Sequence, residues 1–494
     1  MVYEENMVKS KINLVHLAKQ AMIARGLQPE FSSDALHQLE KVHAPASCSG
    51  TCEDLRSLLW CSIDNDTSRD LDQLTFAQKE ADGTWTLWIA VADVDVLVRQ
   101  NSPLDHHAEI NTTSVYTPAI VFPMFPEKLS TNLTSLNEGE DRPAMVVKLA
   151  LTADGEMGAS SIFRATVRNH AKLAYNSVGA WLEGDSGVPD NIKRVPGLEE
   201  ALLCQWEATK KLKMKRQALG ALTLQPIGIV ATLLEGEEVK LEAANYTSAR
   251  QLIEHFMIAA NHAMAIRLKE ARVPSLRRVV REPKRWHRIQ DIASRFGCSL
   301  PDHPQTKALE DFLLDQKQLH PETFPDLSLT IIKLLGRGEY VVELAGDTPV
   351  GHFGLALTDY THSTAPNRRF PDLITQRQYK AILKGELSPY TIDDLERLAI
   401  HCTKQEDAAS KIERQMTKSA AALLLSAHIG KQFKAIVTGS SPKGVWVRIQ
   451  NPPIEGKVLH GGESLDVGDH AQVRLVSVDI PKGHINFRAC SDKA

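Results

Sequence analysis

The chain has 494 residues, 43% of them hydrophobic and 24% charged, with a formal net charge of −4. No run of about 18 apolar residues occurs, which excludes a membrane-spanning helix, and the acidic balance argues against indiscriminate nucleic-acid binding. Met1 to Asn6 lack the basic-then-apolar layout of a secretory signal, and seven cysteines make no disulfide framework, so a reducing cytoplasm is the expected compartment.

In chain order, Ile12, Val15, Leu17, Ala18, Ala21 and Met22 form one amphipathic stripe that Gly26 stops. Ser32, Ser33 or Asp34 caps a second helix with Leu36, Leu39 and Val42 as its apolar positions. This pair reads either as a helix-turn-helix-like unit or as a packing arm. Residues 44–54 read as a linker, with Cys48 and Cys52 expected to be free thiols. Strand-like segments follow at 84–94, 144–152 and 159–168. Helical patterns dominate 196–217, 247–272, 284–297, 305–318 and 392–427, and a further helix is expected at 371–384. The last 60 or so residues alternate apolar and polar positions in five short runs split by Gly and Pro turns, the pattern of a small Greek-key barrel of the OB type. The expected class is therefore α+β, divided into a helical segment at 1–54, a large catalytic-type domain at 55–427 and a five-stranded barrel at 428–494.

The chemistry-bearing feature is the acidic run Asp64-Asn65-Asp66-Thr67-Ser68-Arg69-Asp70-Leu71-Asp72. Taken alone, it reads as a solvated turn or as a site for a hard divalent cation such as Mg²⁺. In an extended backbone Asp70 and Asp72 point to one side. Two basic clusters, Arg267 to Arg288 and Lys210 to Arg216, suit either solvated helix faces or a channel for a polyanion. Arg368 and Arg369 stand just before the expected helix at 371–384, where two guanidiniums and free backbone N–H groups favour a phosphate.

The order of motifs resembles the RNB-domain exoribonucleases of the ribonuclease II and ribonuclease R type. The resemblance runs from Ser62 to Gln73, through Ile89-Ala90-Val91-Ala92-Asp93-Val94, Thr113 to Pro118, Phe122 to Ser130 and Ser135 to Pro143. It continues at Leu252 to Asn261, His352 to Leu357 and Ser363 to Leu373. The C-terminal barrel is similar to the S1-type RNA-binding domain of these enzymes. The resemblance implies processive 3′-to-5′ hydrolysis of single-stranded RNA to nucleoside 5′-monophosphates with Mg²⁺. The protein is expected to be a monomer, with an oligomer left open.

Carried over residue by residue, the resemblance makes Asp64, Asp70 and Asp72 metal ligands. Gln73 stands where the family usually has a fourth Asp, bringing an oxygen but no charge. Asp70, Asp72 and Arg368 are the implied catalytic residues, with Arg368 stabilising charge on the phosphoryl oxygens. Tyr116 and Tyr175 match aromatics near the RNA end. No aromatic occupies the expected second stacking position, where Arg277 is the substitute. Arg369, Glu413 and Trp446 complete the expected RNA contacts, with Lys431, Lys434, Lys443 and Arg448 near Trp446. Core packing is the competing reading for Phe433 and Phe487. Longer relatives carry two cold-shock-like modules before the catalytic domain, where this chain has about 50 helical residues, so a more open RNA entrance is expected.

Overall fold

The structure, a computed structural model, describes residues 13–490 except 49, 226–227, 234–238, 245, 442–443, 451 and 466, and leaves the side chains of 226–245 undescribed. The expectations for Ile12 and Lys443 fall outside the described residues.

Two helices, Leu14–Ile23 and Ser33–Glu40, open the described chain, and Ser32 caps the second by accepting the Ala35 N–H. Leu14, Ala18, Ala21 and Met22 are buried with Ala409, Ile412 and Met416 of the long helix Ile392–Ser426, so the first helix is a packing arm. Of the expected apolar positions, Leu39 and Val42 pack on the core, whereas Leu36 faces out and Ala35 takes the inward place. Cys48 and Cys52 form a disulfide, also contrary to expectation. The short loop brings their Cα atoms to 6.2 Å, within bridging range. Cys61, Cys204, Cys298, Cys402 and Cys490 are free, as expected. Among the described residues no helix is long and apolar enough to cross a membrane.

The centre is a seven-stranded mixed sheet built from β1 (Glu53–Asp54), β2 (Cys61–Asp64), β3 (Gln73–Lys79) and β4 (Trp85–Ala92), then, after a short hairpin β5 (Val115–Tyr116) and β6 (Val121–Phe122), from β7 (Asp141–Leu151), β8 (Met157–Arg168) and β9 (Ala171–Ala174). Its order is β1-β8-β7-β4-β3-β2-β9. The pairs β1/β8 and β2/β9 are parallel and the rest are antiparallel. Both faces of β4 are buried. Leu87, Ile89 and Val91 pack towards the helices Leu198–Ala218 and Ser248–Glu270, while Trp88, Ala90 and Ala92 pack towards Phe370, Leu373 and Ile374. Two-sided burial explains why β4 reads as a nearly continuous apolar run. A separate closed barrel is formed by the strands Gln432–Ser441, Gly444–Ile449, Glu455–His460, His470–Asp479 and His484–Ala489. Phe487 is fully buried there, and Phe433 meets it edge-on at 6.3 Å, so both belong to the barrel core.

The helix Phe370–Lys384 is enclosed on every side: each residue from Phe370 to Ala381 is buried. Six of these twelve residues, Asp372, Thr375, Gln376, Arg377, Gln378 and Lys380, are polar or charged, so each needs a partner. Arg377 reaches Asp95 at 2.6 Å and Asp105 at 2.7 Å, and donates to the Val98 carbonyl. Lys380 bonds Asp93 at 2.7 Å and Asp95 at 2.9 Å. Arg164 of β8 completes the network on Asp93 at 3.1 Å. Three carboxylates and three cations thus fix the helix against the end of β4. Removing one member leaves a buried charge without its partner, a cost of about 3–5 kcal/mol. Lys380→Ala is expected to lower unfolding stability in urea by about 3 kcal/mol. Lys384→Ala, at an exposed position on the same helix, should change it by less than about 1 kcal/mol.

Candidate active site

A cleft of about 690 Å³ opens beside the end of β2, the start of β3, the helix Ser248–Glu270 and the segment leading into the helix Phe370–Lys384. It gathers Asp64, Asp70, Asp72, Gln73, Tyr116, Tyr175, Arg368 and Arg369 from among the expected residues. Arg277, Glu413 and Trp446 do not line it.

The acidic run owes its shape to backbone partners. Leu71 N–H donates to Ser135 Oγ at 2.9 Å, and its carbonyl accepts from Leu136 N–H at 2.9 Å. The Asp72 carbonyl accepts from Ala92 N–H at 3.0 Å, at the end of β4. Leu71 is buried in the core, so its neighbours Asp70 and Asp72 turn into the cleft. Asp72 is 2% exposed. Its Oδ1 accepts from Asn367 N–H at 2.9 Å, and its Oδ2 stands 3.2 Å from Arg368 Nε.

Arg368 is set by its own backbone: its carbonyl accepts Ser114 N–H and Thr113 Oγ1–H at 3.0 Å each, and Phe370 N–H bonds the Thr112 carbonyl at 2.8 Å. Arg369 is spent locally, forking onto Asp372 at 2.7 Å through both Nε and Nη2. Asp372 also accepts Ala365 N–H at 2.8 Å, which closes the turn that presents Arg368.

Electrostatics follow from burial. Desolvation pushes Asp72 up to about 7, against the pull of Arg368 and with the push of Asp70. Desolvation also raises Asp70, opposed by its own backbone hydrogen bond and by Arg368. Burial works against the charge of Arg368 and is the largest single influence on it, but Asp72, helped by Tyr116 and Asp372, holds it above its ordinary value. The two carboxylates are thus short of compensating positive charge. The Asp72 Oδ2 atom is buried without a hydrogen-bond donor.

The aromatic walls come from opposite sides. Tyr116 is 42% exposed and donates its hydroxyl to Asp70 Oδ2 at 3.2 Å. Glu413 accepts Tyr116 N–H at 2.9 Å and so braces the hairpin β5–β6 from the long helix. Tyr175 opens the helix Tyr175–Glu183, immediately after β9, which pairs with the Asp64 end of β2. That helix comes close to the start of the helix Ser248–Glu270 because Gly179 lacks a side chain: a Cβ there would lie 2.6 Å from Thr247 Cβ.

Three expectations are corrected. Arg277 is 2% exposed, pairs with Glu343 at 2.9 Å and donates to the Ala265 carbonyl, so it is a core ion pair and presents no stacking surface. The basic stretch 267–288 is neutralised piecemeal by Glu270, Asp359, Glu343, Glu406 and Glu339, and of its residues Arg278 alone lines the cleft. From the stretch 210–216, Lys213 and Arg216 line a different, smaller cavity. Trp446 is half-buried on the barrel surface, with Lys457 Nζ 5.6 Å from its ring centre.

Reading of the sequence missed Arg250, Glu254, Met257 and Asn261, which line the cleft from one helix face, and His352, Tyr360 and His362, with Tyr360 bonded to Asn261 at 3.2 Å. The spacing of 250, 254, 257 and 261 is a helical stripe of mixed polarity, which was the available signal. Burial lowers His352 to about 4, and it drives His362 well below its ordinary value, so both are neutral donors or acceptors at pH 7.

The oxygens of Asp64, Asp70, Asp72 and Gln73 form a hard donor set on one cleft. The undercompensated, partly orphaned Asp72 is what a divalent cation would satisfy, so the residues present fit such an ion. Among the described residues, no three His, Cys, Asp or Glu side chains converge as a closed cage. Gln73 Nε2 donates to the Thr364 carbonyl at 2.5 Å, which ties β3 to the segment before Arg368.

An RNB domain spans residues 52–385 and an RNase II-type exonuclease C-terminal S1 domain spans 431–490. The chain belongs to the RNB-domain family. It is 30% identical to Ribonuclease R of Aquifex aeolicus over 88% of this chain and 64% of the relative. It is 28% identical to that of Escherichia coli over 92% and 59%. The chain thus spans roughly three-fifths of the length of these curated relatives. Its fold is similar to Mycoplasma genitalium RNase R solved with ribose-methylated single-stranded RNA (TM-score 0.85, 22% identity, 97% of this chain and 78% of that one). It is also similar to yeast Ssd1, described as a pseudonuclease (TM-score 0.71, 18% identity, 93% and 56%).

Replacing Gln73 by Asp adds a carboxylate but loses the bond to Thr364. Gln73→Asp should lower the thermal midpoint of the metal-free protein and enlarge any upward shift that an added divalent cation produces, both read in one melting titration.

Proposed function

We propose that this chain is a Mg²⁺-dependent 3′-to-5′ exoribonuclease that hydrolyses single-stranded RNA processively to nucleoside 5′-monophosphates. The observation that carries this reading is the pairing of a buried, undercompensated carboxylate, Asp72, with a partly exposed guanidinium, Arg368, inside a cleft walled by two tyrosines. Support also comes from the relatives named Ribonuclease R and from the RNase R solved with single-stranded RNA.

Asp64, Asp70 and Asp72, with the Gln73 carbonyl, would hold the cation. When bound, a divalent ion would supply a Lewis acid for lowering the pKa of water and for offsetting charge on the leaving oxygen. Arg368 meets the charge that builds on the phosphoryl oxygens, already oriented by Thr113 and Ser114 and so needing little reorganisation. Tyr116 and Tyr175 give flat surfaces on which any base stacks, so grip is independent of sequence. Trp446, half-exposed on the barrel, adds a further base contact outside the cleft. The enzyme acts as a cytoplasmic monomer in this reading.

A second reading, an RNA-binding regulator of weak activity, is favoured by one observation: the position of the expected fourth carboxylate holds Gln73, whose amide nitrogen is committed to Thr364. The similarity to a pseudonuclease fold keeps that reading in play. Incubation of uniformly labelled poly(A) with Mg²⁺ separates the two. Wild type should release mononucleotides, EDTA should stop release, and Asp72→Asn should bind RNA while cutting at least about 100-fold more slowly. Binding by wild type without release would replace the enzyme by the regulator.

A further inference from the structure

Four arginines line the cleft: Arg250, Arg278, Arg368 and Arg369. Three are matched to carboxylates, Arg278 to Glu406, Arg368 to Asp72 and Arg369 to Asp372. Arg250 has no carboxylate partner among the described residues. It is held by neutral groups alone: Nη2 donates to Asn65 Oδ1 at 2.7 Å, and the guanidinium carbon lies 4.4 Å from the centre of the Tyr175 ring. Its Nε–H is buried without an acceptor. A donor left unmade in this way costs free energy in the empty protein and is recovered when an acceptor arrives.

The local setting strengthens the case. Arg250 stands in the first turn of the helix Ser248–Glu270, where the helix N-terminus is already positive. A cation there opposes the dipole and weakens the helix, and its positive field adds to that of the N-terminus. Asn65 and Tyr175 fix the side chain without consuming its charge. The guanidinium stacked on Tyr175 places its charge beside an aromatic ring of the cleft wall.

We propose that Arg250 is the phosphate-anchoring residue of the cleft, binding a backbone phosphate of the RNA strand beside the nucleotide that rests on Tyr175. This assignment rests on the exoribonuclease reading and deepens it. Arg368 is committed to Asp72 and to the reacting phosphate; Arg250 supplies grip away from it, on the opposite flank of the acidic run.

The test uses the salt dependence of RNA binding. With Asp72→Asn as the non-cutting parent, the dissociation constant for oligo(A) is measured across a series of salt concentrations. Arg250→Gln should weaken binding about 10-fold and reduce the slope of log affinity against log salt by about 0.7 to 1, the share of one phosphate contact. Arg250→Lys should restore most of the slope, because it keeps the charge while losing the Tyr175 stack. In the cutting enzyme, the loss for Arg250→Gln should sit in KM more than in kcat. An unchanged slope for Arg250→Gln, or a loss that Arg250→Lys fails to recover, overturns the assignment and leaves Arg250 as a structural brace for Tyr175. If wild type cleaves RNA and the slope is unchanged, this assignment alone falls; if wild type neither binds nor cleaves RNA, the exoribonuclease reading falls with it.

Discussion

A carboxylate that is 2% exposed has to be compensated, and the way Asp72 is compensated organises the molecule around it. Its partners, Asn367 N–H and Arg368, come from a segment 295 residues further along the chain, so the start of β3 and the entry to the helix Phe370–Lys384 must be held in register. That register is secured from three directions. Residues 112–114 pair through the backbone with 368–370, Asp372 closes the turn from Ala365 to Arg369, and Gln73 reaches Thr364. Behind them the helix is locked by the cluster of Asp93, Asp95, Asp105, Arg164, Arg377 and Lys380. A polar helix in the middle of a protein adds little to stability against an apolar one of equal volume. What it supplies here is a fixed position for one guanidinium.

The cleft follows a rule of unequal neutralisation. Most basic residues that looked available to a polyanion are paired within the protein, as Arg277 with Glu343 and Arg278 with Glu406 show. Asp70 and Asp72 are raised because burial outruns their compensation, and Arg250 meets Asn65 and Tyr175 but no carboxylate among the described residues. Undercompensated carboxylates on one side and a guanidinium with no carboxylate partner among the described residues on the other are what the proposed cation and phosphate sites rest on. An acidic protein can in this way hold a polyanion with local charge, at one cleft, without a basic surface.

Reading the sequence succeeded where local pattern decides structure. The long helices at 198–218, 248–270 and 392–426 and the strands at 141–151 and 157–168 were read from length and local composition, β4 from its apolar run, and the five barrel strands from their apolar–polar alternation. The short strands β2 and β9 and the pair Ser275–Val279 with Glu339–Glu343 went unread, since their stability comes from partners distant in sequence. The same limit governed the site. Asp64, Asp70, Asp72, Tyr116, Tyr175 and Arg368 were legible through motif order, and they meet in one cleft. Arg277 was misjudged because its partner Glu343 lies on a strand that no local signal announced. Arg250 was missed because its significance is a lack of carboxylate partners, which only the folded arrangement can reveal. Glu413 touches Tyr116 through the backbone, a support that no side-chain pattern encodes.

Asp72 and Arg368 act as one unit in this account, so their removal should not add. A double-mutant cycle on mononucleotide release from poly(A), with Asp72→Asn, Arg368→Gln and the combination, measures this directly. The expected result is that the double variant is about as slow as the slower single variant. Losses that multiply across the two positions would mean that the residues contribute independently, and would contradict the coupling on which the arrangement of the cleft is argued to depend.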